Sequence, residues 1–383
     1  MDFKKILTND ILPFWLDNAI DHELGGIMTY LDKDGEIYST DKSVWFQGRA
    51  LWTFSKAYNF VDKNPKYLEA AKKIYEFLPK CIDTDNRMFF LVSKDGSPIQ
   101  KRRYYFSETF AAIGCAEYYR ATGDIEVWKS AEKYFDIAKM CYDHPELNPP
   151  KLTVKMKSLS PVMIMLATAR SMAACAPDPE KYNALARHYL DGVLHGGFIS
   201  DELGAVLEHV SPDGKFVNSP MGRTVNPGHS LETAWFLMVE GMVDNNQEAL
   251  EVGKKIIDIT MPFGLDKEHG GIISFCDVLG KPATALEWNM KLWWPQNEAA
   301  IANKMAYEIF KEDKYNAAYE SILNYALDKF SDKEHGEWYG YLNYDSTVSS
   351  SLKGNLFKGP FHIPRMFMIL NEYQKGDVLN FFK

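Results

Sequence analysis

The chain has 383 residues, 46% of them hydrophobic and 14% aromatic, which is ample apolar material for a large folded core. Its formal charge of −9 argues against a nucleic-acid partner, because neutralising phosphates requires a basic surface. Lys101-Arg102-Arg103 is the one basic cluster and is interpreted as a solvated loop. The longest apolar run, 161–169, is too short to cross a bilayer, so we expect no membrane partner.

Cysteine usage and the first residues of the chain indicate a compartment. The five cysteines are an odd number, are widely spaced and include no C-x-x-C pair, which is typical of a reducing, cytoplasmic environment. Residues 1–15 lack the basic-then-apolar pattern of a signal peptide. Because no linker and no break in composition divides the chain, residues 1–383 are expected to form a single domain.

Hydrophobic periodicity predicts twelve helices, which alternate between two kinds. In chain order they lie near 4–19, 44–61, 66–79, 105–121, 124–141, 159–175, 180–194, 229–244, 246–260, 296–309, 314–329 and 362–374. The stretch 66–79 is apolar on one side only, as expected of a helix at the surface. The stretches 44–61 and 229–244 are apolar around the whole circumference, so they belong in the interior. Counting these twelve stretches in chain order, we therefore predict that the odd-numbered stretches lie outside and the even-numbered stretches inside.

A turn sequence recurs between outer and inner helices. Its copies are Asp21–Ile27, Asp266–Ile272, Asp332–Trp338 and, more loosely, Asp201–Gly204. Gly204, Gly270 and Gly336 are spaced 66 residues apart, so about six such units fill the chain. Each copy precedes a β-like segment such as 271–275. The repeat predicts an all-α fold, an (α/α)6 barrel of six helical hairpins with short β-hairpins at one end. An open solenoid is the alternative, but it would not need every second helix to be apolar all round.

In such a barrel the inner helices run the same way, so their N-terminal ends meet at one mouth. These helices are predicted to begin near Trp45, Tyr105, Leu159, His229, Gln296 and His362. The polar residues at their ends are Arg49, Ser107, Glu108, Ser160, His229, Glu232, Glu298, His362 and Arg365. Helix N-termini add a positive dipole and free amide donors, which suit oxyanions and hydroxyls.

Aromatic residues crowd the same places, as is usual in sugar sites. They are Trp45, Tyr104, Tyr105, Phe106, Trp288, Trp293, Trp294 and Phe361, and core packing is expected to explain about half of them. Of the nine histidines, His229 and His362 are the two that open inner helices, and two histidines facing one cavity fit two-base proton transfer. Motifs for phosphoryl transfer, dinucleotide redox chemistry and zinc proteolysis are absent, and no metal is expected.

Five segments resemble the N-acylglucosamine 2-epimerase (renin-binding protein) family. They are Trp45–Arg49, Asn226–Glu232, Met290–Glu298, Gly336–Tyr341 and Lys353–Arg365, with the strings M-K-L-W-W-P and F-K-G-P-F-H-I-P-R among them. The resemblance implies an isomerase that interconverts N-acetylglucosamine and N-acetylmannosamine. It further implies a chemistry that needs no cofactor, activation by ATP that is not consumed, and a homodimer.

Carried over residue by residue, the family's catalytic histidines fall on His229 and His362. Its substrate-binding residues fall on Arg49, Glu232, Trp294, Glu298 and Arg365. Ring opening exposes an aldehyde whose C2 proton is acidic. Inversion takes that proton from one face and returns one to the other, so two bases must flank C2.

Other functions on the same barrel stay open. Cellobiose 2-epimerases carry further His or Asn ligands on the third inner helix, where Leu159–Met165 supplies none. Aldose–ketose isomerases of the mannose type use similar histidines and move the C2 proton to C1. An inverting glycoside hydrolase would use Glu232 and Glu298, roughly 6.5–9.5 Å apart, as acid and base. A non-enzymatic sugar-sensing or protein-binding module would not need paired bases.

Overall fold

The computed structural model describes residues 1–101, 104–148 and 154–383, so Arg102 and Arg103 of the basic cluster lie outside the described residues. Its helices are α1 (Phe3–Ile6), a π-helical turn (Leu7–Ile11), α2 (Leu12–Asn18), α3 (Val44–Phe60), α4 (Pro65–Phe77), a 3-10 turn (Leu78–Cys81), α5 (Phe106–Thr122), α6 (Ile125–Asp143), a 3-10 turn (Pro145–Leu147), α7 (Leu159–Cys175), α8 (Glu180–Leu194), α9 (Pro227–Asp244), α10 (Gln247–Gly264), α11 (Trp293–Phe310), α12 (Asp313–Lys329), α13 (His362–Lys375) and α14 (Val378–Phe382). All twelve predicted helices are present, the first as α1, the π turn and α2. The short α14 was not predicted.

Three inner helices begin earlier or later than predicted. α9 starts at Pro227 rather than His229, because proline suits the first helical position and the Asn226 side chain caps the helix by accepting from the His229 N–H at 3.2 Å. α11 starts at Trp293 rather than Gln296, since the proline in its first turn lacks only an N–H that needs no helical partner there. α5 starts at Phe106, one residue after the predicted Tyr105.

The inner helices form a closed ring, as predicted. α3, α5, α7, α9, α11 and α13 each pack on the next, and α13 packs on α3. The closure is reinforced by the Trp52 and Phe361 rings, whose centroids are 5.2 Å apart. An open solenoid is thereby excluded. Each inner helix also packs on the outer helix that follows it, while α1 packs on α13, so the two ends of the chain complete the sixth pair.

Short antiparallel ladders surround the mouth where the inner helices begin. The strands are β1 (Tyr30–Leu31), β2 (Ile37–Ser39), β3 (Lys42–Ser43), β4 (Leu91–Val92), β5 (Pro98–Gln100), β6 (Lys157–Ser158), β7 (Ile199–Ser200), β8 (Ala205–Val206), β9 (His209–Val210), β10 (Thr224–Val225), β11 (Cys276–Asp277), β12 (Lys291–Leu292), β13 (Tyr341–Leu342) and β14 (Val348–Ser350). They form the sheets β1-β2, β3-β4-β5, β6-β9, β7-β8, β10-β11 and β12-β13-β14. The β segment predicted at 271–275 is wrong in detail, since Ile272 makes a single bridge and the ladder lies at β11.

Three copies of the repeated turn each contain an equivalent buried ion pair. The leading aspartate binds a lysine whose side chain is fully buried, in the pairs Asp21–Lys42, Asp266–Lys291 and Asp332–Lys353, at 2.7, 2.6 and 3.0 Å. The loosest copy differs, because Asp201 is exposed and pairs with Lys255 on the outer helix α10. The repeated turn seen in the sequence therefore has a structural role.

Two further expectations concern the whole chain. None of the helices in the described ranges combines the length and the hydropathy needed to cross a bilayer. The five cysteines are all unpaired thiols.

Candidate active site

One cavity of about 1660 Å³ runs along the barrel axis. On α3 it is lined by Trp45, Arg49, Trp52 and Lys56, which share one helix face from the first turn to the last. At 1.5 Å per residue this face is about 16 Å long. Residues of α14 line the end opposite the mouth. The cavity is therefore open at the N-terminal ends of the inner helices and closed by the C-terminal segment.

His362, at the start of α13, is held by a shared carboxylate. Its Nδ1 lies 2.8 Å from Oε1 of Glu298 and 3.2 Å from Nη2 of Arg365. Because the two Nη2 hydrogens are directed to Glu232 and Glu298, and a carboxylate only accepts, Nδ1 carries the hydrogen and Nε2 keeps its lone pair. The other oxygen of Glu298 accepts from the Trp235 indole at 2.8 Å. The same Oε1 accepts from Nη2 of Arg365 at 2.7 Å. Glu298 thus has both oxygens occupied.

Arg365 joins the two predicted cavity carboxylates. Its Nη2 donates to Glu232 at 2.6 Å as well as to Glu298. One ligand atom each of Glu232, Glu298 and His362 lies within 4.8 Å of the others, a cluster that would suit a cation. The Arg365 guanidinium places a positive charge against both carboxylates.

These surroundings keep His362 neutral. Burial lowers the pKa of His362 well below its ordinary value, and the cations of Arg365 and Arg49 lower it further. A neutral imidazole with a free Nε2 is a proton acceptor at neutral pH.

His229, in the first turn of α9, has a carboxylate partner that was not predicted. Its Nδ1 lies 2.8 Å from Oε1 of Glu208, which stands between β8 and β9. Burial lowers the pKa of His229, but the charge and hydrogen bond of Glu208, together with the charges of Glu232 and Glu298, outweigh it, so the pKa lies above its ordinary value. Glu208 was not predicted as a site residue because it lies on no helix. The one signal for it in the sequence was that an acidic residue follows shortly after the fourth copy of the turn.

The Trp294 ring lies beside both histidines. Its ring centroid is 5.2 Å from that of His229 and 5.9 Å from that of His362, with interplanar angles of 41° in both cases. Both imidazoles therefore border the same part of the cavity. Gly228 makes this arrangement possible, since a Cβ there would overlap the indole.

Arg49 lies on the opposite wall among aromatic rings. Its guanidinium is 4.1 Å from the Phe110 ring centroid and 5.1 Å from that of Phe361, and Nη1 donates to the Phe357 carbonyl at 3.2 Å. Nε has no hydrogen-bond partner among the described residues. Burial lowers the pKa of Arg49 below its ordinary value, and the nearby charge of Glu232 offsets only part of this shift. A buried donor without a partner is available to an oxygen of a ligand.

Some candidates from the sequence face elsewhere. Ser107 donates to the Phe89 carbonyl at 3.0 Å, and Glu108 binds Nε of Arg87 at 2.7 Å, so both belong to a turn outside the cavity. Trp288 is 42% exposed and is not part of the lining. The lining does include Ser160 and the other predicted aromatic residues, namely Trp45, Tyr104, Tyr105, Phe106, Trp293, Trp294 and Phe361.

The third inner helix, α7, presents a mostly apolar face to the cavity. Its lining residues in the first two turns are Ser160, Pro161, Val162, Met163, Ile164 and Leu166. No histidine or asparagine stands there, as the sequence indicated. The ligands that a disaccharide epimerase would be expected to carry on this helix are therefore missing.

The comparisons with known proteins identify a family. The family model described as N-acylglucosamine 2-epimerase (GlcNAc 2-epimerase) matches residues 25–359. The chain belongs to the N-acylglucosamine 2-epimerase family. The N-acylglucosamine 2-epimerase of Bos taurus is 34% identical over 380 residues, which cover 94% of this chain and 88% of the bovine protein. The family resemblance found in the sequence is confirmed, as is the prediction of an isomerase, since the family's named relatives are epimerases.

A second relative and a solved structure extend the comparison. A cellobiose 2-epimerase of Eubacterium cellulosolvens is 26% identical over 405 residues, covering 94% of this chain and 95% of that protein. The crystal structure of a D-mannose isomerase superposes with a TM-score of 0.84 at 17% identity, covering 97% of each chain. At that identity the likeness concerns the fold alone, and it confirms the predicted (α/α)6 barrel.

Proposed function

We propose that the protein is an N-acylglucosamine 2-epimerase that interconverts N-acetyl-D-glucosamine and N-acetyl-D-mannosamine, with residues 1–383 acting as one domain. One observation carries the proposal. His229 and His362 border one cavity beside the same indole, and each is bound through Nδ1 to a carboxylate. Two imidazoles arranged in this way each direct Nε2 to a substrate held between them.

The chemistry follows from the pair. Once the sugar ring opens, the aldehyde at C1 acidifies the proton at C2. In the direction in which His362 abstracts, the C2–H bond breaks, the proton moves to Nε2 of His362, and the electron pair forms an enolate. Nε2–H of His229 then delivers a proton to the opposite face of C2, and the carbonyl re-forms. The epimer results, and the reverse direction exchanges the two roles.

The remaining predicted residues receive supporting roles. Arg49 lines the cavity, and its positive charge stabilises the developing enolate oxygen in the transition state. Glu298 orients His362, and Arg365 offsets part of the negative charge of Glu298 and Glu232. Trp294 offers its face to the sugar next to both imidazoles.

The geometry disfavours the inverting hydrolase. An inverting pair of carboxyl groups needs roughly 6.5–9.5 Å between them to admit a water. Glu232 and Glu298 have oxygens within 4.8 Å of one another, and both bind the same nitrogen of Arg365. The two carboxylates are therefore too close for that water, and both oxygens of Glu298 are already hydrogen-bonded.

Activation by ATP, a homodimer and a cytoplasmic location are also part of the proposal. ATP and the dimer rest on the family resemblance alone. The location is supported by the five unpaired cysteines, since unpaired thiols are typical of a reducing compartment. Light scattering of the purified protein tests the dimer directly.

The deciding experiment is proton NMR of N-acetylmannosamine with the protein in D2O, with and without ATP. We expect N-acetylglucosamine carrying deuterium at C2, formed faster when ATP is present. A ketose product would instead indicate an aldose–ketose isomerase, and deuterium exchange at C2 of mannose but not of N-acetylmannosamine would shift the substrate to free aldoses. Absence of any carbon-bound exchange would refute proton-transfer catalysis.

A further inference from the structure

Glu208 occupies a backbone position that recurs around the barrel. It directly precedes β9, which pairs with β6, and β6 leads directly into α7. β4 and β13 have the same relation to α3 and α11. In all three repeats the residue before the strand accepts, through its carbonyl, the N–H of the first residue of an inner helix. The pairs are Val44 to Phe90, Leu159 to Glu208 and Trp293 to Gly340, at 2.9, 3.0 and 3.0 Å.

The side chain at this position varies although the backbone role does not. It is aromatic in Phe90, absent in Gly340 and a carboxylate in Glu208. The fold therefore does not require an acidic residue here. Glu208 is nevertheless only 7% exposed, and burying a carboxylate costs free energy unless a partner compensates it. The partner that it binds is His229, at 2.8 Å.

Glu208 differs from the carboxylate that holds the other histidine. Glu298 also accepts from Arg365, so its charge is shared with a cation. Among the described residues, no arginine or lysine hydrogen-bonds to Glu208. The titratable groups that act on His229 are Glu208, Glu232 on its own helix, Glu298 on α11 and His362 on α13. Glu232 and Glu298 both bind Arg365, whereas Glu208 hydrogen-bonds to His229 and is bound by no arginine or lysine among the described residues.

We propose that Glu208 is the positioning residue of His229: it accepts the Nδ1 hydrogen, directs Nε2 to the cavity and makes His229 the proton donor in the direction in which His362 abstracts. This inference rests on the proposed function for its place in the reaction. The two histidines then enter a turnover in different states, His229 as imidazolium and His362 as neutral imidazole. One proton leaves C2 for His362 as one arrives from His229, and the total is conserved.

The first test does not depend on turnover. Histidines labelled with 13C at Cε1 are titrated by NMR in the whole protein, and His229 is assigned from the signal lost in His229→Asn. Glu208→Gln removes the charge that favours the imidazolium, so the pKa of His229 is expected to fall by about one to two units. Glu202→Gln, the same change at an exposed site on the same connection, is the control and should leave that pKa unchanged. Should Glu208→Gln not fold, Glu208→Ala gives the same readout.

The second test uses the pH dependence of kcat/KM. The alkaline limb reports loss of the proton donor, so Glu208→Gln should move that limb to lower pH by a similar amount and leave the acid limb in place. Glu208→Asp keeps the charge and should move it less. A uniform loss of rate with both limbs unmoved, or an unchanged His229 pKa, would overturn the inference. If the wild-type protein shows no epimerisation, the proposed function fails, yet the NMR titration still decides whether Glu208 controls His229.

Discussion

The two ends of the barrel cavity both bury charged side chains, but they use them differently. At the closed end, Arg170 of α7 donates to both oxygens of Glu240 at 2.8 and 2.6 Å, and Lys56 binds Glu117 at 3.1 Å and the Phe381 carbonyl at 2.8 Å. At the mouth, one nitrogen of Arg365 serves two carboxylates, and the Nε atoms of Arg49 and Arg365 have no partner among the described residues.

A buried charge is therefore not by itself a sign of a functional site. Arg170 binds both oxygens of Glu240 and also donates from Nη1 to Asn183 at 2.9 Å, which is the arrangement of a structural ion pair. A buried arginine nitrogen without a partner in the described part of the chain also occurs away from the mouth, at Nη1 of Arg120 in the last turn of α5, so the feature that distinguishes the mouth is its pair of histidines with opposite pKa shifts. Substitutions at the mouth should therefore change activity, and those at the closed end should change stability.

The largest effect is expected from His362→Asn. Asparagine cannot take the C2 proton, so kcat should fall by about a hundred- to ten-thousand-fold, the usual contribution of a general base. The melting temperature should change little, because the residue borders the open cavity. Steady-state NMR assays and thermal unfolding measure the two quantities. Near-wild-type turnover would be incompatible with the two-base scheme.

Arg170→Met should show the opposite pattern. It leaves Glu240 buried without its cation, which costs about 3–5 kcal/mol of unfolding free energy. Urea unfolding measures this loss, while kcat per folded molecule should stay near wild type. The double variant Arg170→Met with Glu240→Leu removes both charges and should recover most of the stability. A single variant as stable as the wild type would show that the pair is not structural.

Gly228→Ala tests whether the position of the Trp294 ring at the mouth is needed for activity. The added Cβ would overlap the Trp294 ring, which borders both histidines. A displaced ring should lower kcat/KM by about ten- to a hundred-fold, as small misplacements of positioning groups do. Gly253→Ala, where a Cβ would instead meet Met238 and the Ala234 carbonyl behind α9, is a comparison at which stability should suffer rather than kcat/KM.

The smallest effect is expected from Phe382→Ala in α14. The Phe382 ring packs 6.1 Å from that of Trp235, which donates to Glu298. Because Phe382 lines the cavity rather than a filled core, we expect a loss of about 2 kcal/mol, at the low end for large-to-small changes. Turnover should be nearly unchanged. A large drop in kcat would mean that the closed end communicates with His362 through Trp235, and the two ends would no longer be independent.

Much of this protein was determined by the sequence alone. The twelve main helices, their inner and outer alternation and the spacing of the turn glycines were readable because helical periodicity and turn chemistry are local properties. The parallel inner helices then required that His229, Glu232, Glu298, His362 and Arg365 meet at one mouth. Arg49 and Trp294 stand at the same helix ends, and the structure places six of these seven residues in the lining of the cavity. The seventh, Glu298, is fully buried and binds His362 and Arg365.

Only the tertiary structure decided which side chains became partners. Glu232 binds Arg365 rather than an imidazole, Glu108 turns outward to Arg87, and Glu208 reaches His229 from a loop. These pairings depend on how each helix is rotated about its own axis and how the connections fold over the mouth. Neither is encoded in the spacing of a single segment. The same reason hid α14, because five residues form a helix there by packing against the barrel rather than by their own periodicity.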